Sequence, residues 1–213
     1  MPQLIVPPVG ELTPTRGNRF SRWLGRWMLA RKGWTIEGDV ANVPRAVVIA
    51  APHTSNWDGY YAIGGMMAIG LRLSIMAKDS LFKWYIGWFF DWIGFLRVNR
   101  NAPGGFVEKC AHTLKRSKGL WMVVPAEGTR KKAKKWKSGF HRIAKLAEAP
   151  MLPISIDFEK KKFVIGEPRM ATDDYESDLN DLLDFYADCA PHTPELLSLP
   201  LVERRQQRQS QSA

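Results

Sequence analysis

The sequence predicts a single α/β domain with a central, mostly parallel sheet flanked by helices, preceded by an N-terminal amphipathic helix. Apolar runs at 46–51 (AVVIAA) and 120–124 (LWMVV) are typical of buried strands. Segments with helical spacing alternate with such runs, which favours a parallel sheet with helices on its faces. The 213 residues suit one domain, and no internal repeat or linker divides the chain.

The N-terminal part of the chain predicts a helix with one apolar face. Residues 1–18 are rich in Pro, Gly and Thr, and we expect them to be irregular. Over residues 19–33, apolar residues recur at the spacing of one helix face: Phe20, Trp23, Leu24, Trp27 and Met28. Arginines surround this face, which favours an interfacial anchor on a membrane. A helix packed on the domain core, with solvated arginines, is the open alternative.

Residues 34–200 are predicted to form the body of the domain. Further strands are expected at 74–77, 95–99, 151–156 and 162–165, and helices at 58–73, 83–92, 106–118, 137–149 and 175–189. In the helix at 83–92 the tryptophans form a stripe, which fits either core packing or contact with a membrane or acyl chain. The tail, residues 201–213, is largely polar, and we expect it to be disordered.

The composition indicates an anionic partner. Lys and Arg exceed Asp and Glu by 31 to 21, a net charge of +10, and nine tryptophans are present. Excess positive charge favours nucleic acid, anionic lipid or a phosphorylated substrate. Trp is enriched at membrane interfaces, so a membrane surface is favoured, and no recognition-helix or RNA-binding signature supports nucleic acid. No run reaches the roughly 18 apolar residues of a spanning helix, so we expect peripheral association.

The cysteines and histidines predict neither a disulfide framework nor a metal site. Cys110 and Cys189 stand apart in the sequence, and we expect free thiols in a reducing compartment. The four histidines lack the spacing of metal ligands. We therefore expect no metal and no cofactor.

The segment HTSNWD follows directly after the first buried strand. An imidazole at His53 and a carboxylate at Asp58 form a dyad if the chain turns back between them. The carboxylate then fixes the imidazole tautomer, and the other ring nitrogen is free to accept a proton from a hydroxyl. The pattern alone is common, and a surface histidine beside a helix N-terminus is the competing interpretation.

The segment EGTR follows the second buried strand. Gly128 allows a sharp turn, Thr129 offers a hydroxyl, and Arg130 offers a planar fork that suits phosphate, while Glu127 can hold the arginine or bind a polyol. Five lysines follow within 131–137; they form either a solvated face or a site for lipid head groups or coenzyme phosphates. An ordinary polar turn is the alternative interpretation of EGTR.

A third segment, GFLRVNR at 94–100, ends an apolar stretch with a cation. Arg100 is a candidate phosphate ligand, and Arg97 is the competing candidate.

In this order the segments resemble the glycerolphosphate and lysophospholipid acyltransferase family, whose bacterial members make phosphatidic acid. HTSNWD resembles the first motif of that family, GFLRVNR the second, EGTR the third and MLPISI, with Pro153, the fourth. The resemblance covers roughly residues 45–160. It implies that His53 is the general base and Asp58 its orienting acid, and that Arg100 and the residues Glu127 to Arg130 bind the acceptor.

The resemblance also implies a reaction. A fatty acyl group passes directly from acyl-CoA or an acyl-carrier protein to the hydroxyl of a lysophospholipid-like acceptor, 1-acylglycerol-3-phosphate first among them. Such a protein is expected at the cytoplasmic face of the inner membrane. Ala126 separates Pro125 from EGTR, and Lys131 stands where the family often has Ser, so the acceptor stays open. A non-catalytic module that binds anionic membranes is the alternative from another class.

Overall fold

The computed structural model describes residues 4–78, 96–98 and 105–211, and its elements are numbered over those residues. The strands are β1 (Thr35–Glu37), β2 (Arg45–Ala50), β3 (Leu73–Lys78), β4 (Leu96–Val98), β5 (Leu120–Pro125), β6 (Met151–Asp157) and β7 (Lys162–Ile165). The helices are α1 (Arg19–Arg31), α2 (Asn56–Ile69), α3 (Phe106–Arg116), α4 (Gly139–Ala147), α5 (Tyr175–Ala187) and α6 (Leu199–Gln211), with a 3-10 helix at Pro194–Leu196. The predicted helix at 83–92 and Arg100 lie outside the described residues.

The described strands form one sheet in the order β1-β7-β6-β2-β5-β3-β4. Every neighbouring pair is parallel except β6 and β7, which are antiparallel. The predicted fold class, an α/β domain with a mostly parallel sheet, is therefore confirmed. The strand β2 lies at the centre between β5 and β6, so side chains just beyond its carboxyl end meet side chains from both neighbours.

Both faces of the central strand are buried, which explains why its sequence is a continuous apolar run. Val47 and Ile49 point to the side that holds α3, α4, α5 and α6. Ala46 and Val48 point to the opposite side, where they pack with residues of α2. Residues of a strand alternate between faces, so a strand covered on both sides has no polar position to spare. Each large apolar side chain buried in this way contributes about 1.5–3 kcal/mol.

Helix α1 packs antiparallel against α2 through small residues. Gly25 of α1 approaches so closely that a Cβ there would lie 2.5 Å from the backbone nitrogen of Ala68 and 2.8 Å from the carbonyl oxygen of Gly64. Beyond the C-terminal end of α1, the ring of Trp34 packs on Tyr61, near the start of α2, with centroids 4.3 Å apart. The contact therefore needs glycine, and a larger residue at position 25 would push the helices apart.

The aromatic residues of α1 face outward. The buried residues of this helix are Gly25 and Leu29, whereas Phe20, Trp23 and Trp27 are exposed and stack along the surface. The predicted helix is thus present and packs on the domain. Its packed side nevertheless differs from the aromatic side on which the amphipathic pattern was based.

The expectation of a disordered tail from residue 201 is wrong over residues 201–211, which belong to α6. Leu201 is fully buried against the rest of the domain. Arg204 forms a two-pronged ion pair with Asp184 of α5, and Arg208 binds Asp188, just beyond α5, at 2.9 Å. The polar tail therefore folds because its arginines meet acidic partners that are distant in sequence. At the other end, residues 4–18 contain no helix and no strand beyond a single bridge between Thr15 and Leu71.

Candidate active site

The catalytic candidate His53 lies on the loop between β2 and α2, at the carboxyl end of the sheet. Ser55 caps α2 by accepting the N–H of Trp57 at 3.2 Å. Asp58, in the first turn, returns its carboxylate to the loop, where Oδ2 accepts the backbone N–H groups of Thr54 and Ser55, each at 2.8 Å. The same oxygen lies 3.1 Å from Nδ1 of His53. The carboxylate of Asp58 therefore caps the start of α2 and also contacts the imidazole.

This geometry leaves one imidazole nitrogen available. The Asp58 side chain is only 7% exposed, while the His53 side chain is 29% exposed. With Nδ1–H donated to the carboxylate, Nε2 carries a lone pair and is the nitrogen that can accept a proton. The predicted dyad is present as a geometric arrangement, and its chemical capacity is that of a general base.

Glu127 lies behind this loop. Its side chain is buried, with the residue 3% exposed, and Oε2 accepts the backbone N–H of His53 at 2.7 Å. Strands β2 and β5 are in register with Ala50 opposite Pro125, so the residues beyond each strand meet. Burial raises the pKa of the Glu127 carboxyl, and the His53 N–H and the nearby Ser198 hydroxyl offset part of that rise. Glu127 therefore fixes the His53 backbone from inside the protein.

The rest of the EGTR turn faces solvent beside the dyad. Gly128 has φ +66°, a left-handed conformation that favours glycine. The hydroxyl of Thr129 accepts the backbone N–H of Lys131 at 3.1 Å. Arg130 donates a hydrogen bond to the side-chain oxygen of Asn56, at the first position of α2. The structure thus brings the third segment against the first.

The remaining sequence-predicted residues are placed less fully. Arg100 lies outside the described residues, and Arg97 lies on β4, at the far edge of the sheet from β1. Pro153 lies on β6 opposite Ile49 of the central strand, which puts the fourth segment next to the first.

A segment after α5 also reaches the site, and sequence analysis did not identify it. The backbone N–H of Thr193 donates to the hydroxyl of Thr54 at 3.2 Å. The ring of His192 stacks on the exposed ring of Trp57, with centroids 6.4 Å apart, and meets Phe158 edge-on at 5.0 Å. The contacts of Thr193 with Thr54 and of His192 with Trp57 join residues more than 130 positions apart, and no local pattern in the sequence indicates them.

Neither described cysteine has the character of a nucleophile. Burial raises the pKa of the Cys110 thiol to about 11 and also raises the pKa of the Cys189 thiol, which donates a hydrogen bond to the Ser155 hydroxyl. Among residues 4–78, 96–98 and 105–211, no group of three or more His, Cys, Asp or Glu side chains is placed to hold a metal ion.

The fold and the site define a class: an α/β protein that carries a histidine, in contact with an aspartate, beyond the central strand of its sheet. A family model for acyltransferases matches residues 35–157, more than half of the chain. The chain therefore belongs to the Acyltransferase family.

A solved structure shares the fold. The 1-acyl-sn-glycerophosphate acyltransferase PlsC from Thermotoga maritima superposes with a TM-score of 0.58 at 17% sequence identity. The alignment covers 92% of this chain and 80% of that one. At this identity the likeness concerns the fold. A comparison with curated protein sequences gives no match.

Proposed function

We propose that this acyltransferase moves a fatty acyl group from a thioester donor to the free hydroxyl of a lysophospholipid-like acceptor, with 1-acylglycerol-3-phosphate as the first candidate. The observation that carries the proposal is the His53–Asp58 contact of 3.1 Å, with an accessible imidazole next to Arg130. The similar fold of a protein named for acylation of 1-acyl-sn-glycerophosphate supports this acceptor.

In the proposed mechanism His53 acts as general base. Its Nε2 removes the proton of the acceptor hydroxyl as that oxygen attacks the thioester carbonyl, and a tetrahedral oxyanion forms. The carbon–sulfur bond then breaks, and the imidazolium returns its proton to the leaving thiolate. Asp58 keeps the proton of the neutral ring on Nδ1 and stabilises the imidazolium. Because transfer is direct, no acyl-enzyme forms, in keeping with the raised pKa of both cysteine thiols.

The EGTR turn divides into two roles under this proposal. Thr129 and Arg130 are exposed beside the dyad and supply a hydroxyl and a cation for the acceptor's phosphate, and Gly128 lets the backbone turn there. Arg100 is retained as a further phosphate ligand on the strength of the resemblance. Glu127 is almost fully buried, so we assign it to holding the His53 loop rather than to direct contact with the acceptor.

We further propose that α1 rests on an anionic membrane surface at the cytoplasmic face. Phe20, Trp23 and Trp27 form an exposed aromatic row, and Arg31 lies over the ring of Trp27 at 5.1 Å. Exposed aromatics next to arginines are typical of interfacial helices. In the described part of the chain, no helix combines the length and the hydropathy needed to cross a bilayer.

The deciding experiment measures labelled acyl transfer from acyl-CoA and from acyl-carrier protein into a panel of lysolipids, with His53→Ala beside the wild type. Product with the wild type and none with the variant would support the reaction and identify the acceptor. Equal product from both proteins would remove His53 as the base. If both proteins are folded and bind vesicles but neither makes product, the non-catalytic membrane module becomes the better interpretation.

A further inference from the structure

A dense row of positive charge begins at the active site. We call residues 130–137 the basic segment: it carries Arg130, Lys131, Lys132, Lys134, Lys135 and Lys137. All six of these side chains belong to exposed residues, while Ala133 and Trp136 between them are buried. The segment therefore presents its cations outward and its small and aromatic residues inward.

The basic segment is fixed in place at three points. The carbonyl of Ala133 accepts the backbone N–H of Leu199 at 2.9 Å, and the indole N–H of Trp136 donates to Ser198 at 3.0 Å. The N–H of Lys137 donates to the carbonyl of Ala126 at 2.9 Å. Because the backbone is anchored to the start of α6 and to the end of β5, the cations occupy a defined surface.

The charges of the basic segment lack counterions in the described part of the chain. None of its lysines forms an ion pair there, whereas Lys115, Lys145 and Lys162 each bind a carboxylate. Six like charges within eight residues repel one another, and an anionic partner relieves that repulsion. Arg130 bonds to Asn56, where the His53 loop meets α2, so the positive charge of this segment starts beside His53.

The position of the basic segment separates it from the proposed membrane face. It leads from β5 into α4, which packs on the side of the sheet opposite α2. Helix α1 packs on α2, so its aromatic row belongs to the other side. If α1 faces the membrane as proposed, the basic segment therefore lies on the other side of the sheet from that surface.

We propose that the basic segment docks the acidic surface of an acyl-carrier protein, which presents its thioester to His53. The inference rests on the proposed function for the reaction that follows docking. The five exposed lysines that follow Arg130 suit an extended acidic surface, while Arg130 is left to the acceptor's phosphate. The one aromatic ring of the segment, Trp136, is 4% exposed and bonded to Ser198, so it offers no face for the adenine of a nucleotide donor.

The test measures docking without turnover. Holo-acyl-carrier protein with a fluorophore on its pantetheine is titrated with the full-length enzyme, and anisotropy gives the dissociation constant. The variant Lys131→Glu/Lys132→Glu is compared with Arg116→Glu/Lys118→Glu, which makes the same charge change at exposed residues beside the opposite end of β5. We expect binding about 10-fold weaker or more in the first variant and a change of less than about 2-fold in the control.

Two further ligands separate the alternatives. Labelled coenzyme A and vesicles containing anionic lipid are titrated with the same three proteins, all checked for folding by circular dichroism. A loss of affinity confined to the acyl-carrier protein, together with weaker binding of that protein at higher salt, supports the proposal. An equal loss of affinity for coenzyme A would indicate that the basic segment is a phosphate site. A loss of affinity for vesicles alone would indicate a membrane site. Unchanged affinity for the carrier protein would overturn the docking proposal. Acyl transfer from an uncharged acyl N-acetylcysteamine thioester tests the reaction separately from docking. Its rate should be unchanged in Lys131→Glu/Lys132→Glu.

Discussion

The described part of the protein contains two histidine–aspartate contacts with different surroundings. In the first, Nδ1 of His53 lies 3.1 Å from Asp58, five residues away on the same loop and helix start. In the second, Nε2 of His141 on α4 lies 2.8 Å from Asp178 on α5. The side chains of the second pair are 7% and 11% exposed, against 29% for His53. The two contacts thus have the same chemistry but different access.

The comparison shows that a histidine–carboxylate contact is not by itself a sign of catalysis. Asp178 also accepts the N–H of Thr172 at 2.7 Å, so the buried pair joins α4, α5 and the loop before α5. It stabilises packing and cannot receive a substrate hydroxyl. The His53 pair is held by local backbone N–H groups and faces solvent at the carboxyl edge of the sheet. Each carboxylate contacts one ring nitrogen, so access to solvent at the carboxyl edge of the sheet is what distinguishes the proposed catalytic pair.

The largest expected effect is on the rate in His53→Ala. Removing a general base lowers kcat by about 10²–10⁴-fold. Stability should change by no more than about 1 kcal/mol, since the side chain is partly exposed and Asp58 keeps its two backbone partners. Acyl transfer and urea unfolding measure the two quantities. A rate close to wild type would show that His53 is not the base, and the His53–Asp58 pair would then have no more role in catalysis than the His141–Asp178 pair.

His141→Ala should show the opposite pattern. The change removes one partner of Asp178, which keeps the N–H of Thr172, and empties a buried site, so the free energy of unfolding should fall by about 2 kcal/mol. The rate per folded molecule should stay unchanged. Urea unfolding and active-enzyme titration test this, with His112→Ala, an exposed histidine of α3, as the neutral control. A fall in rate without a fall in stability would contradict the structural role of this pair.

Asp58→Asn should lower kcat by about 100-fold. The amide oxygen is expected to take the place of Oδ2, where it keeps the two backbone N–H bonds, but a neutral oxygen stabilises the imidazolium less than a carboxylate does. Stability should fall by about 1 kcal/mol through the weakened cap. Asp174→Asn, which alters the cap of α5 at its 3.0 Å bond to Ser177, is the matched control for capping without catalysis. Equal rates in both variants would remove Asp58 from the site.

The smallest effect concerns the pH dependence of stability through Glu127. Its carboxyl has a pKa raised above the ordinary 4.5, so the folded protein retains this proton to higher pH than the unfolded chain. Each unit of raised pKa corresponds to about 1.4 kcal/mol, present at low pH and lost as pH rises through the folded value. Glu127→Gln keeps an acceptor for the His53 N–H but does not titrate.

Urea unfolding of wild type and Glu127→Gln is compared between pH 4 and 8. As pH increases, the free energy of unfolding of the wild type should fall relative to that of the variant. Parallel pH profiles of the two proteins would show that burial does not perturb this carboxyl in the folded state.

The sequence predicted the parts of the molecule that depend on local pattern. The apolar runs around Val48 and Met122 indicated the central strands, with His53 and Glu127 each just beyond one of them. Parallel strands place their carboxyl ends together, so the two residues meet.

The features that sequence analysis missed depend on distant partners. Helix α6 forms because Arg204 and Arg208 meet acidic residues of α5, which composition alone does not show. The outward orientation of Trp23 follows from the close contact at Gly25, a residue that carries no hydrophobic signal. The inward orientation of Glu127 depends on the His53 backbone, 74 residues away.

If α1 rests on a membrane as proposed, its antiparallel contact with α2 fixes the height of His53 above that surface. Gly25 lets the backbones of the two helices approach closely, since a Cβ there would lie 2.5 Å from the backbone nitrogen of Ala68. If α1 lies flat in the head-group layer, α2 runs along the same plane, and His53 at its start is held at a fixed elevation one helix layer away. The enzyme then selects acceptors by depth, acylating hydroxyls that stand at that level, whatever the length of the chain beneath them.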